Sequence, residues 1–305
     1  MLVALTGASG FIGSYIAAAL HRAGHDVRAL VRPTSRREHI EASITEWTEG
    51  DAADPQAIAA LAAGVDAVIH NANDWHARKQ SPVNHYEKNL LGTLRLLDAT
   101  RQAGANQFIF VSSVAVYDQI PASVNGRITE ETATWPGGIY GAHKAAVEPH
   151  LKAYHATYGM NTSSWRPAAV YGVDPNLSRS QWLDLITKAK QGGMIDTAEK
   201  GGQGGKITHV QDVADALTLA VADESVAGQF YNLVDGYMYW QRAAEFAKEL
   251  AHSAATIVDC KGAGPKNQFD CTKAIDFFDR HGNTTALRRG EAGVRAYVAE
   301  LLARL

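Results

Sequence analysis

The amino-acid sequence predicts an α/β chain built on a doubly wound parallel sheet, with a smaller lobe in its C-terminal part. Two observations carry this. Apolar runs of strand length alternate with segments of helical periodicity through the first half, the pattern of βαβ units. The chain also opens on an apolar strand, Leu2 to Thr6, which enters a glycine-spaced turn, Gly7-Ala8-Ser9-Gly10-Phe11-Ile12-Gly13, and then a helix.

Each element follows in order. Phe11, Ile12, Tyr15, Ile16, Ala19 and Leu20 recur at helical spacing and give the first helix an apolar face. Further strands are expected at 26–31, 44–49, 65–70, 107–112 and 162–166, with helices at 55–62, 84–102 and 139–158. Right-handed crossovers then place a ligand at the carboxyl ends of the strands, at Thr6, Arg32, Gly50-Asp51, Asn71 and Ser112-Ser113. After Val173 the pattern changes: a helix at 179–190, a glycine-rich stretch over 192–205, a strand at 207–210, a helix at 213–221, a strand at 230–233, and helices at 240–250 and 285–302. The expected division is a first domain over 1–172, which some later segments rejoin, and a lobe made mainly of 173–305.

Composition sets the bounds. The 305 residues, 46% hydrophobic and 20% charged, suffice for one sizeable α/β domain and a smaller one. The 29 basic and 32 acidic residues leave a net charge of −3, so nothing favours nucleic acid or an anionic membrane as partner. Cys260 and Cys271 make neither a disulfide framework nor a zinc set, and no metal is expected. The first residues already read as a core strand, and no apolar stretch approaches the ~20 residues of a membrane helix. A cytoplasmic protein is the expectation.

The opening strand, turn and helix suit a dinucleotide pyrophosphate. A turn without side chains lets backbone amides close on phosphates, and the helix points its positive end at them. Gly13, one turn in, lets helix and strand approach closely. The spacing is G-x-x-G-x-x-G and departs from the commoner G-x-G-x-x-G. Tyr140 and Lys144 stand four apart on an expected helix and so share a face. An ammonium beside a phenol is expected to lower its pKa, letting the tyrosine exchange a proton with a hydroxyl or carbonyl near neutral pH. Ser113, ending the strand Phe108-Ile109-Phe110-Val111, can hydrogen-bond the same substrate oxygen.

With these motifs the sequence resembles the extended short-chain dehydrogenase/reductase family, also called the NAD-dependent epimerase/dehydratase family, whose fold is the Rossmann fold. The resemblance runs in family order over almost the whole chain. It comprises Thr6 to Gly13, Gly50-Asp51, Val68-Ile69-His70, Asn89-Leu90-Leu91-Gly92-Thr93 and Val111-Ser112-Ser113-Val114-Ala115-Val116-Tyr117. It continues with the Tyr140/Lys144 pair, Arg166-Pro167-Ala168-Ala169-Val170-Tyr171-Gly172, His209-Val210-Gln211-Asp212-Val213-Ala214 and Tyr231-Asn232-Leu233. It implies that Ser113, Tyr140 and Lys144 are catalytic, Tyr140 as acid/base, Lys144 tuning it and holding the nicotinamide ribose, and Ser113 orienting the substrate oxygen. It also implies cofactor contacts from Thr6, Gly7, Ser9, Gly10, Phe11, Ile12, Gly13, Asn71, Ala72, Asn73, Asn89 and Pro167, with Asp51 and Ala52 by the adenine. An acidic residue ending the second strand would favour NAD. Here Arg32 stands there, with Arg36 and Arg37 close by, and a guanidinium suits the 2′-phosphate of NADP. NADP is therefore favoured, with NAD the alternative.

Several positions depart from the family. Asn71-Ala72-Asn73 replaces a hydrophobic residue followed by Ala-Ala, and Asn73 would bring an amide to the nicotinamide. Asp74-Trp75-His76 either enters the substrate pocket or supplies a cap and a packing ring. Ser113-Val114-Ala115 lacks the acidic pair of sugar-nucleotide 4,6-dehydratases. Lys206 stands where sugar-nucleotide enzymes tend to carry an arginine for the diphosphate. His209 and Asp212 are expected to be structural, and 175–182 with 192–205 to form a lid, with Trp135, Tyr171 and Trp182 as pocket walls.

Three functions remain. A carbonyl reductase acting on an aldehyde, ketone or secondary alcohol is favoured by Arg32 and the missing arginine. A sugar-nucleotide epimerase with tightly held NAD uses the same residues. A nucleotide-sensing regulatory protein is the third. Related proteins pair through the helices at 84–102 and 139–158, so a homodimer is expected, with a monomer left open.

Overall fold

The computed structural model describes residues 1–120, 126–196, 204–258 and 267–305. They form two compact units: Met1–Asn125 with Glu130–Pro167 and Val213–Asn232, and Gly126–Thr129 with Ala168–Asp212 and Leu233–Leu305. Among the described residues no helix is long and apolar enough to cross a membrane.

The first unit is built on a seven-stranded sheet. Its order is Gln229–Leu233, Asn161–Pro167, Gln107–Val111, Ala67–His70, Leu2–Thr6, Asp26–Val31 and Glu46–Glu49. The pairings from Asn161–Pro167 across to Glu46–Glu49 are all parallel. Thr6 lies opposite both Leu30 and His70, and His70 opposite Phe110, so the carboxyl ends finish together. The winding reverses between Leu2–Thr6 and Ala67–His70, the point at which such sheets open a ligand crevice. The Rossmann fold expected from the alternating pattern is present.

The strand Asn161–Pro167 is buried throughout although four of its seven residues are polar and one is an arginine. The polar side chains facing the helix layer are satisfied. Thr162 donates to the Leu151 carbonyl at 2.7 Å and Ser164 to Glu148 at 2.9 Å, while Arg166 makes a two-pronged ion pair with Glu148 at 2.8 and 2.7 Å. Glu148 projects from the helix Ile139–Tyr158, so this pair fixes that helix against the sheet.

The helix expected over 84–102 is broken into three pieces. A short α-helix, Pro82–His85, capped by the Ser81 hydroxyl, runs into a π-helical turn, Tyr86–Leu91, and then an α-helix, Gly92–Gln102. A π turn moves each bond one residue further on and frees carbonyls of the α ladder. Side chains take them here: the Asn89 amide donates to the His85 carbonyl at 3.1 Å, and Thr93 donates to the Asn89 carbonyl at 2.6 Å.

The second unit holds a three-stranded sheet, Gly236–Tyr239, Gly204–His209 and Ala169–Tyr171. The helices Leu183–Gln191, Trp240–Leu250 and Gly290–Arg304 enclose an apolar cluster. Tyr171 and Trp182, expected to wall a pocket, lie inside that cluster, Tyr171 fully buried. The helix expected from 179 begins at Leu183 because Trp182 takes a left-handed conformation, φ +59°. The last helix begins at Gly290 and not at 285. Asp212 accepts from the Leu287 amide and the Arg289 guanidinium, and Asp235 accepts from the Gly290 amide, holding 287–290 as a turn. The helix Thr272–Arg280 carries no expectation from the sequence; it buries Ala274, Phe277 and Phe278. Cys271 is buried. Cys260, and 197–203 of the glycine-rich stretch, lie outside the described residues.

Candidate active site

The first turn is shaped by close approach. Gly7 has φ +71°, and a Cβ there would meet Ala72 and Asn71 at 3.1 Å. A Cβ on Gly13 would lie 1.9 Å from the Gly7 carbonyl oxygen, so only glycine lets the helix seat this closely. Gly10 caps the helix Phe11–Arg22 with no side-chain hydrogen bond, which leaves the first-turn amides to another acceptor. The Thr6 hydroxyl is engaged within the protein. It accepts from the Asn71 and Ala72 amides at 3.1 and 3.0 Å and pairs with His70 Nδ1 at 2.8 Å, tying the two strand ends together.

Around the remaining strand ends, Arg32 is exposed and makes no side-chain ion pair among the described residues. Arg37 is occupied, pairing with Glu49 and stacking 5.4 Å from Trp47. Asp51 accepts from the Ala53 amide at 2.9 Å and faces Lys88 at 3.7 Å. Asn73 is half-buried, and neither its amide oxygen nor its nitrogen has a hydrogen-bond partner among the described residues. A buried amide with both ends open is costly unless a ligand completes it. The glycine cradle, the uncapped helix and this amide together fit a dinucleotide.

Ser113, Tyr140 and Lys144 are brought together. Ser113 follows the Gln107–Val111 strand, caps the turn Val114–Tyr117 by accepting from the Ala115 amide at 3.1 Å, and stands beside the Tyr140 side chain. The approach depends on Gly141, where a Cβ would sit 2.4 Å from the Ala115 carbonyl oxygen. Lys144 is 3% exposed; its Nζ donates to the Val111 carbonyl at 2.7 Å and lies 4.5 Å from the Phe110 ring centre.

The electrostatics correct the expectation that Lys144 lowers the Tyr140 pKa. Burial pushes the Tyr140 phenol up to about 12, with the negative charge of Asp118 adding to the rise and the Ser113 hydrogen bond opposing it. Burial also drives Lys144 down to about 7, against the pull of Glu148. The lysine is therefore only partly charged at neutral pH, and its effect on the phenol is correspondingly weak.

Beside them lies a buried histidine pair that the sequence reading does not anticipate. His85 Nε2 and His143 Nδ1 are 2.8 Å apart. The Asn89 oxygen accepts from the Asp74 amide at 2.6 Å, so its nitrogen faces His85 Nδ1 at 3.2 Å. By inference, His85 then carries its proton on Nε2 and donates to His143, whose own proton falls on Nε2. Both rings stay neutral: burial lowers both, His143 to about 2. The signal in the sequence is a histidine directly before Lys144.

Asn89, expected among cofactor contacts, serves as a clasp. Besides accepting from the Asp74 amide, it donates to the Asp74 carbonyl at 3.2 Å. Asp74 in turn caps the helix Trp75–Gln80. Held this way, Trp75 stacks on Tyr140 with ring centres 4.7 Å apart and planes 28° from parallel. Pro167 is buried at the end of its strand, and Ala52 lies half-buried beside Asp51.

The model of the NAD-dependent epimerase/dehydratase family matches residues 3–233. The chain belongs to this family. Among its epimerase/dehydratase relatives, the UDP-glucose 4-epimerase of Corynebacterium glutamicum is 28% identical over 272 residues, covering 82% of this chain and 80% of that protein. The UDP-glucose 4-epimerase of Erwinia amylovora is 33% identical over 272 residues, covering 78% of this chain and 79% of that one. The solved structure of Thermus thermophilus UDP-glucose 4-epimerase in complex with NAD superposes over 100% of both chains, with a TM-score of 0.79 and 25% identity. Family membership makes the chain an NAD-dependent enzyme of the extended short-chain dehydrogenase/reductase type.

Proposed function

We propose that this chain epimerises a sugar nucleotide at a hydroxyl-bearing carbon, with NAD held by the first unit. The observation that carries the reading is the juxtaposition of Ser113 with Tyr140, with Lys144 one turn along the same helix. The sequence favours a carbonyl reductase; the UDP-glucose 4-epimerase relatives, matched over most of their length, favour the epimerase, and we adopt it. NAD would rest on the Gly7–Gly13 turn and the Asn73 amide, and when bound it supplies the acceptor and donor of the hydride. Tyr140 in its ionised form takes the proton from the substrate hydroxyl as hydride leaves the carbon, and returns it when hydride comes back to the opposite face. Ser113 holds the substrate oxygen. Burial favours the neutral phenol at neutral pH, which serves donation to a carbonyl, while the accepting half draws on its ionised form. Accepting a proton is helped by a charged Lys144, so the forward step weakens as pH rises through about 7. A homodimer through the faces of 84–102 and 139–158 is part of the proposal; sedimentation at micromolar concentration tests it.

The test is incubation with UDP-glucose or UDP-galactose and chromatography of the product. Conversion with no net change in nicotinamide absorbance supports the epimerase; steady loss of NADPH with a simple carbonyl overturns it. The second reading, a carbonyl reductase using NADP, rests on the exposed and unpaired Arg32. Arg32→Asp is then expected to shift preference from NADPH to NADH, and an unchanged preference removes that reading.

A further inference from the structure

We infer that Trp75 and Arg78 form the specificity-determining face of the substrate site, Trp75 walling the group that reacts at Tyr140 and Arg78 holding an anionic group of the same substrate. The inference rests on the epimerase reading's placement of the reaction at Tyr140 and deepens that reading.

Four observations support it. Trp75 lies against the ring of Tyr140 yet is 49% exposed, so much of a large apolar side chain stays open next to that tyrosine. Covering it with a substrate ring removes apolar area from water. Its placement is fixed, since the Asp74 carboxylate accepts from the His76 and Ala77 amides at 2.8 and 3.0 Å and Asn89 clasps Asp74 in both directions. The Arg78 guanidinium lies 5.4 Å from the Trp75 ring centre and pairs with no acidic side chain among the described residues, although Asp74 is four residues away. Asp74 spends its carboxylate on the helix amides. The charge of Arg78 is also felt inward: after burial, it is the next cause lowering His85 in the buried pair beside Tyr140. Stacking on an indole leaves the edge N–H groups of a guanidinium free to take an oxyanion in two-pronged fashion. The anion is either a carboxylate on the sugar or the diphosphate that joins it to the nucleoside.

The experiment uses the full chain loaded with NAD and compares UDP-glucose with UDP-glucuronate, which differ at one position, neutral against carboxylate. Acetophenone and benzoylformate with NADPH form a second matched pair. Arg78→Gln is expected to raise KM about tenfold, the effect of one charge-assisted contact, with kcat within about twofold. Loss confined to UDP-glucuronate assigns the carboxylate; equal loss on both sugar nucleotides assigns the diphosphate. Trp75→Ala is expected to lower kcat/KM about tenfold on every substrate, and Trp75→Phe to restore most of it. Unchanged KM in Arg78→Gln on all substrates turned over, or wild-type kinetics in Trp75→Ala, overturns the inference. Reduction of benzoylformate that depends on Arg78, with no sugar nucleotide converted, sinks the epimerase reading and leaves the inference standing. No turnover of either pair, with intrinsic fluorescence unaltered by any of the four, overturns both.

Discussion

Replacing Lys144 by Met should make the protein more stable while abolishing its activity, and the size of the gain should depend on pH. Burial takes the lysine from its ordinary 10.5 to about 7. At about 1.4 kcal/mol per tenfold, the charged form is penalised by roughly 5 kcal/mol in the folded state, of which about 4 kcal/mol is felt at pH 7. The unfolded chain keeps this proton up to about 10.5 and the folded chain releases it near 7, so unfolding takes up a proton between those values. Folded wild type is therefore favoured as pH rises through that range. Methionine removes the penalty but leaves the Val111 carbonyl without its donor, a loss of about 1–3 kcal/mol. The net gain expected at pH 7 is about 1–3 kcal/mol, and it should shrink by about 2 kcal/mol at pH 9, where wild type has already shed the proton. Urea unfolding of both proteins at the two pH values measures it. An advantage of Lys144→Met that is flat or grows with pH would refute the assignment of a costly buried charge.

Other expectations follow from the same geometry. Tyr140→Phe should remove turnover by a factor of at least about a hundred while nucleotide affinity, read by fluorescence quenching, stays within about twofold. Gly13→Ala puts a methyl 1.9 Å from the Gly7 carbonyl oxygen and must displace the turn, so nucleotide affinity should fall more than about tenfold; an unchanged Kd would show that the turn does not hold the ligand. Glu148→Ala leaves Arg166 buried and unpaired and should cost about 3–5 kcal/mol in urea unfolding, against little effect if the pair were solvated.

Much of this is legible in the residues. The strand Asp26–Val31 and the helices Pro55–Ala62, Ile139–Tyr158 and Trp240–Leu250 fall at their expected bounds, because each joins a clear period to a clear terminus. That Ser113, Tyr140 and Lys144 come together is legible because an apolar strand ending in two hydroxyls and a four-residue helical spacing are local patterns, and the family resemblance singles out Ser113 from Ser112. The broken helix over 82–102 is not legible, since a shift of one residue in the apolar spacing reads in sequence as no more than a wider apolar face. Nor is the sign of the Tyr140 shift. Lys144 stands close enough to suggest attraction, but the depth that discharges it is a property of the packed sheet. The fates of Tyr171 and Trp182 are hidden in the same way, for an aromatic ring reads alike whether it lines a cleft or fills a core.

The π turn at Tyr86–Leu91 holds one residue more than the α path would need. Such an excess cannot be removed without rotation. Deleting a single residue there would restore an uninterrupted α ladder and swing whatever precedes it by about 100° relative to Gly92–Gln102, a quarter-turn of the barrel of the helix. Asn89 and His85 would leave the loop at 71–76 and the interior together, and the ring resting on Tyr140 would lose its tether. The position of an exposed tryptophan at Tyr140 is thus set by a counting irregularity in a neighbouring helix, and a length change of one is enough to unset it.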